Sequence, residues 1–174
     1  GVLFVTASGN EAGKFHNAQF ADADADAILE FQGQELLPIL AGGPGRVVLR
    51  WDDTFGQARH DYDLLIVTEG FLANPRLSPD NPAIIAISND TQGGGGDPRE
   101  IAEYEIAQPM LLYAVVVHDR RTPTNRAQRF SIWSSNALAD GWATGEQSLT
   151  LPGDAALLAH ARECIEALNR RYTE

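Results

Sequence analysis

The feature that most constrains this chain is a succession of short apolar runs that alternate with period two and stop at Gly, Pro, Asn or Asp. In residues 46–51, Val47, Leu49 and Trp51 share one face and Val48 and Arg50 the other. Residues 62–67 repeat the pattern with Tyr62, Leu64 and Ile66 on one side. Further runs lie at 83–88, 101–107, 110–118 and 129–134, each rich in β-branched or aromatic residues, as strands are. No helical period separates them, which favours antiparallel sheets over βαβ units. The expected fold is mainly β: an antiparallel, jelly-roll-like β-sandwich over residues 14–150. The separators are equally legible. Residues 41–45, AGGPG, predict a turn or bulge, and 74–82, with three prolines, a loop. Four glycines at 93–96 followed by Asp97-Pro98 predict another loop. No Lys-Ser/Thr follows those glycines, so they lack the signature of a phosphate-binding loop.

The two ends depart from this pattern. Residues 1–13 open with an apolar run, Val2 to Val5, that gives way to small residues and then Gly9-Asn10. A run apolar on both faces predicts a strand covered on both sides, and a chain opening this way reads as an excerpt of something longer. In residues 151–174, Leu157, Leu158, Ala161, Cys164, Ile165, Leu168 and Tyr172 follow helical spacing, with Asp154 placed as N-cap. A C-terminal α-helix is expected there, docked on the sheet or on a partner. The exposed edges of the first strand would pair with that helix or with a second copy of the chain.

Composition narrows the partners. With 174 residues the chain can bury a core. A net charge of −11 argues against nucleic acid and against anionic membrane surfaces, both of which need Lys and Arg. One cysteine, Cys164, rules out an internal disulfide and reads as a small buried hydrophobe. No apolar run reaches the ~18 residues of a membrane span.

Acidic residues gather in two places. Asp22, Asp24 and Asp26 alternate with alanines, as a solvated turn would or as a calcium loop would. An EF-hand is excluded, because Ala27 stands at its sixth position and Gly33 at its twelfth. Asp52, Asp53, Asp61 and Asp63 flank the stretch TFGQARH. If the strands on either side are neighbours, these four meet at one end, where they either cap loop N–H groups or share a calcium ion. His16, His60, His118 and His160 accompany many carboxylates, but no serine sits in a nucleophile-elbow pattern. Trp51, Trp133 and Trp142 could form a carbohydrate platform, although core packing is the better explanation of the first two.

Several stretches together resemble part of a subtilisin-like serine peptidase. GVLFVTASGNEAG at the start matches that family's apolar strand ending in Gly-Asn. LRWDDTFGQARHDYDLLIV at 49–67, GDPREIAEYEI at 96–106 and LYAVVV at 112–117 resemble the pre-peptidase C-terminal-type β-sandwich that a subgroup inserts after this strand. The resemblance covers about residues 1–150. It implies that Asn10 donates its side-chain amide to the oxyanion of the tetrahedral intermediate, and that the parent is secreted or extracytoplasmic. The family's catalytic Asp, His and Ser motifs are absent from this chain, and SLTLPGDAALLAHA at 148–161 begins like its return strand but continues as a helix. The segment alone is therefore expected to be inert, with the rest of the peptidase and a peptide substrate as its partners. A different class of reading is a free-standing adhesion or carbohydrate-binding module using Trp142 or the Asp cluster. Without the family, Gly9-Asn10 simply turns the chain after a strand.

Overall fold

The computed structural model describes residues 12–78, 80–123 and 128–144. The apolar strand at 2–5, Asn10 and the helix expected in 151–174 lie outside the described residues. Among the described residues, two single 3-10 turns, Ala12–Lys14 and Glu69–Phe71, accompany seven strands. These are β1 Phe15–Gln19, β2 Leu37–Trp51, β3 Tyr62–Val67, β4 Ile84–Ser88, β5 Arg99–His118, β6 Arg129–Ser134 and β7 Ala137–Leu138. All pair antiparallel in one sheet of order β1-β6-β2-β5-β3-β4, with β7 joined to β2.

Two of these strands are longer than the sequence suggests. The turn or bulge expected at 41–45 is an irregularity within a continuous β2, where the register shifts between Ala41 and Gly43, and the runs 101–107 and 110–118 fuse into the 20 residues of β5. Both prolines concerned, Pro44 and Pro109, are accommodated where the ladder is irregular or near it. Ala41 pairs with Met110 and Gly43 with Ile106, so β5 carries two extra residues at this point. Bulges of this kind bend a strand and increase its twist. The bend matters because a straight β5 would span about 60 Å. Trp51, beside its start, and Tyr62, paired with its last residue His118, instead have ring centroids 5.3 Å apart. The β2–β5 ribbon thus doubles back, and its two ends meet.

Parity is conserved through the bend. Leu37, Ile39, Ala41, Val47, Leu49 and Trp51 of β2 all enter one buried cluster. Ala102, Tyr104, Leu112, Ala114 and Val116 of β5 join it, with Tyr62, Leu64 and Ile66 of β3 and Phe130 and Ile132 of β6. The opposite face of β3 and β5 forms a second cluster, Leu65, Val67, Val115 and Val117, covered by Ile28, Phe71 and Ala83. This double cover explains why β3 is apolar at nearly every position.

The described chain enters and leaves at the same corner. The Thr144 N–H donates to the Phe15 carbonyl (2.9 Å), and the Asn17 N–H donates to Thr144 Oγ1 (2.8 Å). The His16 ring nitrogen Nδ1 bonds the Trp142 carbonyl at 2.6 Å. Residues 15–17 and 142–144 are therefore clasped side by side.

Candidate functional site

The four aspartates singled out around TFGQARH do not sit on neighbouring strands, because β5 lies between β2 and β3. The doubling of the ribbon still brings their part of the chain to one end of the molecule. There they fall into two pairs with different partners. Asp52 accepts hydrogen bonds from Gln128 Nε2, and from the backbone N–H and Nε of Arg129 (both 3.2 Å), fastening β2 to the start of β6. Asp53 accepts from the Arg59 N–H (2.8 Å), the His60 N–H (2.9 Å) and His60 Nδ1 (2.9 Å). Burial pushes the Asp53 carboxyl up, but these bonds outweigh it and hold the group below the usual carboxylate range. Both residues cap loops.

Asp61 immediately precedes β3 and Asp63 lies within it, and the Asp119 N–H donates to the Asp61 carbonyl (2.9 Å). Asp119 is paired with Arg121. Burial, then the charges of Asp61 and Asp119, raise Asp63 to about 6. Burial also raises Asp61, against a stabilising N–H from Gln92. Asp63, His118, Asp119 and Asp26 line a cavity of about 330 Å³.

The other acidic stretch forms a tight turn. Ligand oxygens of Asp22, Asp24 and Asp26 lie within 4.8 Å of one another, the arrangement among the described residues that could hold a hard cation through three carboxylates. The Asp26 N–H donates to Asp22 Oδ1 (3.1 Å) and the Ile28 N–H to Asp26 Oδ1 (2.7 Å). Ala27 has φ 78°, the left-handed conformation usually left to glycine. Ala27 thus takes, at the sixth position of the acidic turn, a conformation for which an EF-hand uses glycine.

Between the capped aspartates lies an aromatic box. The Tyr62 ring meets Trp51, Phe130 (4.8 Å) and His118 (5.2 Å) and stacks on His60 (6.4 Å). Burial lowers the His118 pKa, and its Nε2 lies 3.2 Å from Thr122 Oγ1. His60 has its Nδ1 committed to Asp53, so the Asp–His pair orients a loop, and the hydroxyl beside His118 is hydrogen-bonded to the Asp119 carbonyl (2.9 Å). Trp142 is half-buried against the core, which leaves part of its ring at the entry–exit corner. Asn10 lies outside the described residues.

Sequence reading overlooked Gln92 and Glu100, which are 3% and 1% exposed. Glu100 precedes Ala102 and Tyr104 on the inward parity of β5, so a carboxylate at a core position was the available signal. Burial raises its pKa, and hydrogen bonds from Ser88 and Gln92 oppose the rise. No family model, curated protein or solved structure matches the chain. No helix among the described residues is long and apolar enough to cross a membrane.

Proposed function

We propose that residues 14–150 are a non-catalytic, jelly-roll-like β-sandwich inserted into a secreted subtilisin-like serine endopeptidase. In this reading residues 1–13 supply the parent's oxyanion strand, and the insert shapes access to the cleft or binds substrate beside it. One observation carries the proposal: the segments that enter and leave the β domain are hydrogen-bonded to each other, Thr144 to Phe15 and Asn17. A domain spliced into a host loop needs its two ends adjacent, so that the host strands on either side keep their places. The single inward face that persists through the bend of β2 and β5 supports a two-layered sandwich. Capping by Asp52 and Asp53 supports a scaffold role for this end of the domain.

Asn10 is the residue that would touch the chemistry. As the substrate carbonyl becomes tetrahedral, its oxygen gains charge, and a fixed amide N–H aimed at it stabilises the transition state selectively. In the longer peptidase, Asn10→Ala is expected to lower kcat roughly 10²–10³-fold with KM little changed, the magnitude typical of an oxyanion donor in the family resembled. Wild-type kcat in a folded Asn10→Ala protein would leave Gly9-Asn10 as a turn. The Asp22–Asp24–Asp26 group favours one rival, a calcium-dependent adhesion or carbohydrate-binding module. Glycan binding that calcium switches on, in a protein no serine-directed fluorophosphonate labels, would select it.

A further inference from the structure

The loops at 52–61 and 89–98 close one end of the molecule and are zipped together through Ala58. Its N–H donates to the Gly96 carbonyl (3.0 Å), and its carbonyl accepts from the Gly94 N–H (2.8 Å). The Gly56 N–H adds a bond to Asp97 Oδ1 (3.1 Å). Beneath this seam lie Asp61, Gln92 and Glu100, respectively 3%, 3% and 1% exposed. Gln92 joins the two carboxylates: its N–H donates to Asp61, and its Nε2 donates to Glu100. The second Glu100 oxygen accepts from Ser88 Oγ.

Within this group two buried oxygens remain without a partner, Asp61 Oδ1 and Gln92 Oε1. Both are acceptors, so neither can satisfy the other. Leaving such groups unpaired in the interior is costly, and more so for a charged one. Of the two groups whose positive charge would favour the Asp61 carboxylate, Arg121 is exposed and committed to Asp119, and burial holds His118 toward its neutral form. The place therefore lacks positive charge and lacks donors at oxygens carried by two residues that are bonded to one another. A hard cation supplies both at once, since it takes carboxylate, amide and backbone carbonyl oxygens together.

We propose that Asp61 Oδ1 and Gln92 Oε1 are ligands of a divalent cation of the calcium class, with Glu100 balancing its charge, and that the ion locks the two loops together. This site is separate from the Asp22–Asp24–Asp26 turn and stands whether or not the parent is a peptidase. The test is thermal melting of the chelator-treated full chain across a calcium titration, alongside Asp61→Asn, Gln92→Met and Asp24→Asn. Calcium is expected to raise the Tm of the wild type and of Asp24→Asn by several degrees. Both Asp61→Asn and Gln92→Met are expected to lose most of that rise. Asp61→Asn should also melt higher than the wild type in chelator at pH 7, because it removes an unpaired buried charge. The proposal is overturned if millimolar calcium leaves the wild-type Tm unchanged. It is equally overturned if the rise survives in both Asp61→Asn and Gln92→Met, or vanishes only in Asp24→Asn. Should Asp61→Asn not fold, Gln92→Met alone decides.

Discussion

At the scale of single residues, the polar groups of this protein are placed by what they cap. Asp53 satisfies two backbone N–H groups and one imidazole. Asp53→Ala strands those donors in a half-buried loop and is expected to cost about 1–3 kcal/mol in urea unfolding; a loss below 0.5 kcal/mol would mean that water replaces them. His16 is 2% exposed, and burial depresses its pKa despite the bond to Trp142. A depressed folded-state value means that stability is full above the unfolded pKa of about 6.5 and is lost as pH falls through the folded one. His118 shifts in the same direction for the same reason. The carboxyls that burial raises, Asp61, Asp63 and Glu100, act in the opposite sense as pH falls. The measurement is therefore a difference: between pH 7 and pH 5 the wild type is expected to lose more Tm, or gain less, than His16→Gln, and an identical pH dependence would contradict a neutral buried His16. Adjacent aspartates following a strand were readable in sequence as loop caps. The Asp61–Gln92–Glu100 group was not, because it gathers residues from three segments that only the folded ribbon brings together.

At the scale of elements, alternation located β3, β4 and β6 and the later half of β2, since one buried face imposes period two. It missed β1, whose Phe15-His-Asn-Ala-Gln19 carries one aromatic among polar residues, and it read the glycines of β2 as a turn or bulge before the strand rather than as part of it. Those glycines have a different task. Gly45 pairs with Tyr104 across the ladder, and a Cβ at Gly45 would collide with the tyrosine ring. Absence of a side chain lets the ring lie over the backbone just beyond the bend. Tyr104 is held there by its hydroxyl, which accepts from Asn136 Nδ2 (3.0 Å). Gly45→Val is expected to destabilise the fold by about 1–3 kcal/mol through overpacking. Adding Tyr104→Ala to it should cost less than the sum of the two single changes, as measured in a double-mutant cycle. Strict additivity would show that the two residues do not share this contact.

At the scale of the whole molecule, the architecture is a doubled antiparallel ribbon with flanking strands at opposite ends, and its entry and exit are clasped. The β class followed from local pattern. The doubling did not, because it depends on a bulge whose proline and glycines look locally like an interruption. The clasp was equally hidden, since Phe15 and Thr144 stand at opposite ends of the described chain and no local signal links them. The proposed insertion into a serine peptidase is tested most directly by peptide hydrolysis by the longer protein, intact and with residues 14–144 replaced by a short Gly-Ser linker. Adjacent ends mean that a few residues can bridge the gap without moving the host strands. The intact protein is expected to cleave a short fluorogenic peptide, and the shortened one to keep this activity while its preference among folded protein substrates changes. An intact, folded protein that neither cleaves peptides nor reacts with a fluorophosphonate would contradict the proposed insertion.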